Sequence, residues 1–199
     1  MRVLVACEFS GIVRDAFAER GHEAWSCDLL PSERPGNHIR DDVLKHLNDG
    51  WDAMIAHPPC TYLCVAGLHY SKKNPERMTM TREAAQFFLS LWNAPIDKIA
   101  VENPVGIMNS QFRKPNQIID PFDFGESERK KTCLWLKGFP PLLATHNAMP
   151  KPYKTIIRKS GSKAGKPYNY YWRQGKSGHD RSRTFQCIAK AMAEQWGNN

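Results

Sequence analysis

Nowhere does the 199-residue chain carry an apolar run approaching the ~18 residues that a membrane-spanning helix needs. It opens with Met1-Arg2-Val3-Leu4-Val5, which leads into a strand pattern rather than a signal peptide. Paired cysteine spacing is also missing. Six cysteines (Cys7, Cys27, Cys60, Cys64, Cys133, Cys187) fall mostly inside apolar runs at irregular intervals. That pattern argues against a disulfide framework and for free thiols in a reducing cytoplasm. Cys60 and Cys64 make a single C-x3-C, and without a second pair at zinc spacing a structural metal is not expected. No internal repeat is present.

One segment is almost without acid. Lys151 to Arg183 carries ten of the chain's 28 basic residues and one of its 20 acidic ones, Asp180. The remainder, with 18 bases and 19 acids, is close to neutral, so the formal net charge of +8 resides in this stretch. Tyr153, Tyr168, Tyr170, Tyr171 and Trp172 are interleaved with the basic residues. Cations between aromatic rings suit a phosphate backbone with stackable bases. Lys159, Lys163, Lys166, Tyr170, Trp172, Arg181 and Arg183 are the candidate contacts to nucleic acid. A solvated loop is the competing reading, given the composition of KSGSKAGK at Lys159–Lys166.

Length and a 41% hydrophobic, 24% charged composition fit one soluble domain spanning 1–199. RVLVAC at Arg2–Cys7 is nearly all apolar, as expected of a parallel strand buried on both faces. SGIVRDAFAERG follows with Val13, Ala16 and Phe17 at helical spacing and Gly21 placed to end the helix. EAWSCDL predicts a second strand ending at Asp28, DDVLKHL a short strand or helical turn, and WDAMIA a further strand. TREAAQFFLSLW predicts a helix capped by Thr81, with Ala84, Phe87, Phe88 and Leu91 on its apolar face. KIAVEN and TCLWLKG predict strands, and FQCIAKAMAEQW a closing helix with Ile188, Met192 and Trp196 on one stripe. Strands alternating with helices at this spacing mean an α/β, Rossmann-like doubly wound sheet. Ligands of such sheets collect at the C-terminal ends of the strands. Standing there are CEFSG, Asp28, Asp41–Asp42, HPPC at His57–Cys60 and ENP at Glu102–Pro104.

Taken in order, these residues resemble the cytosine-C5 DNA methyltransferases, and among them the short, phage-encoded members. FSG at Phe9–Gly11 is similar to the start of that family's cofactor loop, PPC at Pro58–Cys60 to its nucleophile motif, and EN at Glu102–Asn103 to its glutamate motif. DFGESERKKTCLWLKG at Asp123–Gly138 is similar in layout to the family's arginine-containing element and following strand. The resemblance covers roughly residues 1–140 and the last helix. It departs from the family at Val13 and Arg14, where glycine is usual, at Thr61–Cys64 after the nucleophile, and at Pro104. The large target-recognition region is replaced by a short basic, aromatic insertion, residues 139–183.

The resemblance implies S-adenosyl-L-methionine as cofactor and DNA, with a flipped-out or single-stranded cytosine, as substrate. It implies a fold of the S-adenosylmethionine-dependent methyltransferase type. Cys60 is the expected nucleophile, since a thiolate adding to carbon 6 of cytosine makes carbon 5 able to attack a methyl group. Glu102 is expected to face N3 of the base, and Arg129 or Lys131 to bond the cytosine O2 or a flanking phosphate, unless either is surface charge. For the cofactor, Phe9 is expected against the adenine, and the backbone of Phe9, Ser10 and Gly11 against the methionine moiety. Asp28 is expected on the ribose, Asp42 on the adenine amino group, and Pro58 beside them. Glu8 is either a ligand or a helix-start acid. His57 is either a hydrogen-bonded strand-end residue or a base-edge contact. A free cytosine nucleotide as substrate, transfer of a group other than methyl, and an idle nucleic-acid-binding module are the alternatives.

Overall fold

The computed structural model describes residues 1–65, 74–146, 152–170 and 177–198. Trp172, a candidate nucleic-acid contact, lies outside the described residues. Seven strands form one sheet: β1 (Arg2–Ala6), β2 (Glu23–Asp28), β3 (His38–Arg40), β4 (Ala53–Ala56), β5 (Lys98–Pro104), β6 (Gln117–Ile119) and β7 (Thr132–Lys137). Their spatial order is β3-β2-β1-β4-β5-β7-β6. All neighbours from β3 to β5 are parallel, whereas β7 runs antiparallel to both β5 and β6. This is an α/β, Rossmann-like sheet, mostly parallel.

The helices explain why the central strands read as unbroken apolar runs. Helices α1 (Ile12–Ala18) and α5 (Gln186–Trp196) cover one face. There Val3, Val5, Phe17, Leu134, Met192 and Trp196 form one buried cluster. Helix α2 (Pro75–Trp92) covers the other, where Leu4, Met54, Phe88, Leu91, Ile99 and Trp135 pack together. Residues of one strand thus alternate between two cores. The buried tryptophans keep their polar ends satisfied: Trp196 Nε1 donates to the Pro140 carbonyl (2.9 Å) and Trp135 Nε1 to that of Arg113 (2.9 Å). Short helices α3 (Met108–Gln111) and α4 (Gly178–Ser182) complete the described helices.

Three sequence expectations need correction. Helix α2 begins six residues before Thr81: Asn74 is the cap, its side chain accepting from the Glu76 and Arg77 amides, with Pro75 in the first turn. Thr81 lies inside and bonds back to the Arg77 carbonyl (2.8 Å). Short strands β3 and β6, three residues each, carry too little periodicity to be legible. The basic segment contains a separate two-stranded hairpin, β8 (Lys154–Ile157) and β9 (Pro167–Tyr170), in antiparallel register. DDVLKHL is the helical turn of its two alternatives, a 3-10 turn at Val43–His46 capped by Asp42.

Candidate active site

Cys60 sits four residues beyond β4, on the chain that leaves the sheet through Pro58 and Pro59. Four bonds hold this approach. The His57 amide donates to the Ala6 carbonyl at the end of β1 (2.9 Å). The buried Asn103 side chain donates from Nδ2 to the Pro58 carbonyl (2.7 Å), tying the end of β5 to the proline pair. The Cys60 carbonyl accepts from the Leu63 and Cys64 amides (3.0 Å each), so a helical turn starts at the cysteine. Between them the prolines and these bonds leave the Cys60 backbone little freedom. Burial raises the half-buried Cys60 thiol above the usual thiol range, Cys64 and Glu102 add to the rise, and the Lys130 ammonium opposes it.

Glu102, near the end of β5, points into the same region. Its Oε2 lies 3.2 Å from Nδ1 of His57, whose side chain is 8% exposed. Burial pushes the Glu102 carboxyl up, but the His57 contact, Lys130 and the Thr132 hydroxyl outweigh it and hold the group below the ordinary carboxylate range. His57 is therefore the hydrogen-bonded residue of its two alternatives, with the partner now named. Its Nε2 is buried with no hydrogen-bond partner. The cation acting on both Cys60 and Glu102 is Lys130, which sequence reasoning passed over in favour of its two neighbours. Lys130 Nζ also donates to the Arg181 carbonyl (2.9 Å) and lies 5.8 Å from the Phe185 ring.

Arg129 and Lys131 do not join this cluster. Arg129 Nη2 meets Asp120 Oδ2 at 3.2 Å, its guanidinium over the Phe122 ring, and both Arg129 and Lys131 line a cleft on the sheet's far edge. An extended chain sends successive side chains to opposite sides, which explains how Lys130 alone reaches the Cys60 side.

At the ends of β1 and β2 the cofactor candidates divide. Glu8 is buried and takes the helix-start role: Oε1 accepts from Ser10 Oγ (3.1 Å) and the Val13 amide (2.7 Å), Oε2 from the Arg14 amide (3.1 Å). Ser10 is buried in the same network. Gly11 adopts a left-handed φ of 70°, and a Cβ there would lie 2.5 Å from the Arg14 guanidinium. What Gly11 makes room for in this structure is the Arg14 guanidinium. Arg14, 1% exposed, stands where the resemblance led to an expectation of glycine, and bonds Ser26, Ser32 and the Pro35 carbonyl. Phe9 is buried with the His179 ring stacked on it (centroids 4.5 Å apart), so the ring face expected to receive adenine is covered. Asp28 and Asp42 remain half-exposed, each accepting one local amide bond (Leu30 and Leu44). Both carboxylates reach Cys7: burial drives its thiol far above the usual range, and Asp28 and Asp42 add to the rise. Cys7 itself holds a left-handed φ of 59°, strain stored where β1 meets these acids.

The His179 contact belongs to a tie that sequence reasoning missed. Glu33 accepts from Arg183 Nη2 (2.6 Å) and Nε (2.9 Å) and meets His179 Nε2 (3.0 Å). Arg183 also bonds Asp180 (2.9 Å). Arg183, expected on a phosphate backbone, thus has its charge matched by two carboxylates and fastens α4 over Phe9. Arg181, Lys159, Lys163 and Lys166 are exposed, the last three in the turn joining β8 to β9, and Tyr170 is half-buried at the end of β9. Among the described residues no group of three His, Cys, Asp or Glu could hold a metal ion, and no helix is long and apolar enough to cross a membrane.

No family model and no curated protein matches the chain. Among solved structures it is similar to a crystal structure from E. coli, provisionally described as a DNA modification methyltransferase encoded within a prophage. The match has 15% identity and a TM-score of 0.42, and covers 68% of this chain and 46% of that one. A resemblance of this size assigns no activity to the chain.

Proposed function

We propose that this protein is a methyltransferase that acts at carbon 5 of cytosine in DNA through a covalent adduct to Cys60. The observation that carries the reading is that Cys60 and the His57–Glu102 pair stand beyond and at the ends of the adjacent strands β4 and β5, with the Lys130 charge acting on both. Cys60 loses its proton and its sulfur bonds to carbon 6; the ring's displaced electrons reach N3, where a proton is needed. The His57–Glu102 pair is the titratable unit placed to share one. The Lys130 charge, which acts on both, favours the thiolate and offsets charge that builds on the ring. After carbon 5 is substituted, loss of its proton and departure of the Cys60 sulfur restore the aromatic ring.

S-Adenosylmethionine supplies an electrophilic methyl group when bound. The donor set of this chain fits it at the ribose and adenine end, where Asp28 and Asp42 present half-exposed carboxylates at neighbouring strand ends. Phe9 acts beneath His179, as support, rather than as the adenine platform.

The test is mass spectrometry of nucleosides from DNA incubated with the protein and the cofactor. Cytosine carrying one added methyl on carbon 5 is the expected product, absent with Cys60→Ser. Methylation of the exocyclic amine, or product from the serine variant, would overturn the reading.

A further inference from the structure

A second site lies away from Cys60, on the outer edge of the sheet. A cavity of about 550 Å³ opens between the β6–β7 edge and the β8–β9 hairpin. Arg129, Lys131 and Lys163 supply its cations, Asp120 its one carboxylate, and Tyr168 and Tyr170 its aromatic wall. None of Cys60, His57, Glu102 or Lys130 lines it. Its volume falls within the ~300–1,000 Å³ of pockets that enclose compact organic ligands.

We propose that this cleft binds one unpaired nucleotide of a nucleic-acid strand, its phosphate on Lys131 and Lys163 and its base beside Tyr168 and Tyr170. Two features define the ligand's chemistry. The excess of positive side chains calls for an anion, and lysines bind phosphate as point charges. The two tyrosines meet edge to face (centroids 4.8 Å, 82°) and Arg158 lies 4.3 Å over Tyr168, an assembly of ring and cation faces that suits a planar base. Asp120, its side chain 6% exposed, is held by Arg129 at the cleft's inner wall. A simple anion answers the first feature alone; a nucleotide answers both.

The hairpin points the same way. Among the described residues it pairs with no other strand, and a lone two-stranded ribbon is marginal in water. A ligand bridging β9 to Lys131 would hold it against the domain.

The cleft also separates Lys163 from its neighbours: Lys159 and Lys166 lie in the same exposed turn but do not line the cavity. This inference deepens the reading of DNA as substrate, and its test measures binding alone. Fluorescence anisotropy with a labelled twelve-residue deoxycytidine strand is compared for the full-length protein and its K159Q, K163Q, K166Q and Y170A variants. Thermal melting of each variant confirms folding. K163Q should flatten the dependence of log affinity on log salt by about 0.7, one single-strand phosphate, whereas K159Q and K166Q should change it much less. Y170A should weaken binding at least about fivefold. Equal losses for all three lysines, or unchanged binding by Y170A, would overturn the cleft and leave a diffuse basic surface. Methylated cytosine formed with binding indifferent to K163Q and Y170A would sink this site and spare the chemistry. Cleft-dependent binding without any methylated product would do the reverse.

Discussion

Replacing His57 with alanine should raise the pKa of Glu102. In the native protein the imidazole, at 3.2 Å, is the largest influence holding that carboxyl down against its burial. A hydrogen bond to a charged group contributes about 1.5–3 kcal/mol, and the variant loses it. Lys130 and Thr132 still favour the ionised form, so part of the native shift should remain. The sign follows from the direction of the native shift. A depressed carboxyl contributes stability above its unfolded pKa and loses it as pH falls through the folded one. In His57→Ala that window moves to higher pH. Carbon-13 NMR of the glutamate carboxyls, with Glu102→Gln to assign the signal, reads the midpoint directly. The acid limb of turnover should move in the same direction. A Glu102 midpoint unchanged or lowered in the variant would refute the pairing as the cause.

Asn103→Ala removes the 2.7 Å bond to Pro58 and leaves a carbonyl without its partner. It should cost about 1–3 kcal/mol in denaturant unfolding and reduce turnover more than cofactor affinity, because the Cys60 approach loosens. Asp28→Ala should weaken cofactor binding on the order of tenfold in calorimetric titration while leaving strand binding unchanged, from loss of a charge-assisted bond to a ribose hydroxyl. Glu33→Gln should release α4 from Phe9, seen as faster hydrogen exchange across 177–183. The Arg183 bond above all, and the His179 bond with it, pull the Glu33 carboxyl down to about 2 against the opposing effect of burial. The native tie should therefore persist well below the ordinary carboxylate pKa and fail as pH falls towards 2.

The sheet was legible because buried parallel strands write themselves as apolar runs: Val3–Ala6 and Ala53–Ala56 are apolar and buried at every position. The strand-end residues followed from that order, and Cys60, Glu102 and Asp28 stand where the motifs put them. Directions of side chains did not follow. The choice among Arg129, Lys130 and Lys131 depends on which side of an extended chain each occupies, and no motif spacing encodes it. Arg14 read as a departure from a glycine-rich loop, but its role depends on Ser32 and Pro35, some twenty residues away. The Glu33–Arg183 pair spans 150 positions, and no local signal links such partners. His57 was visible as an oddity before the prolines; its partner 45 residues on was not.

DNA containing 5-fluorocytosine, incubated with the protein and S-adenosylmethionine, tests the central claim most directly. Fluorine cannot leave carbon 5 as a proton does, so the Cys60 sulfur should remain bonded to carbon 6. A protein–DNA adduct that survives denaturation, maps to Cys60 by peptide mass spectrometry and disappears in Cys60→Ser is the result expected. Ordinary cytosine methylated by the same preparation, with no adduct on the fluorinated strand, would contradict it.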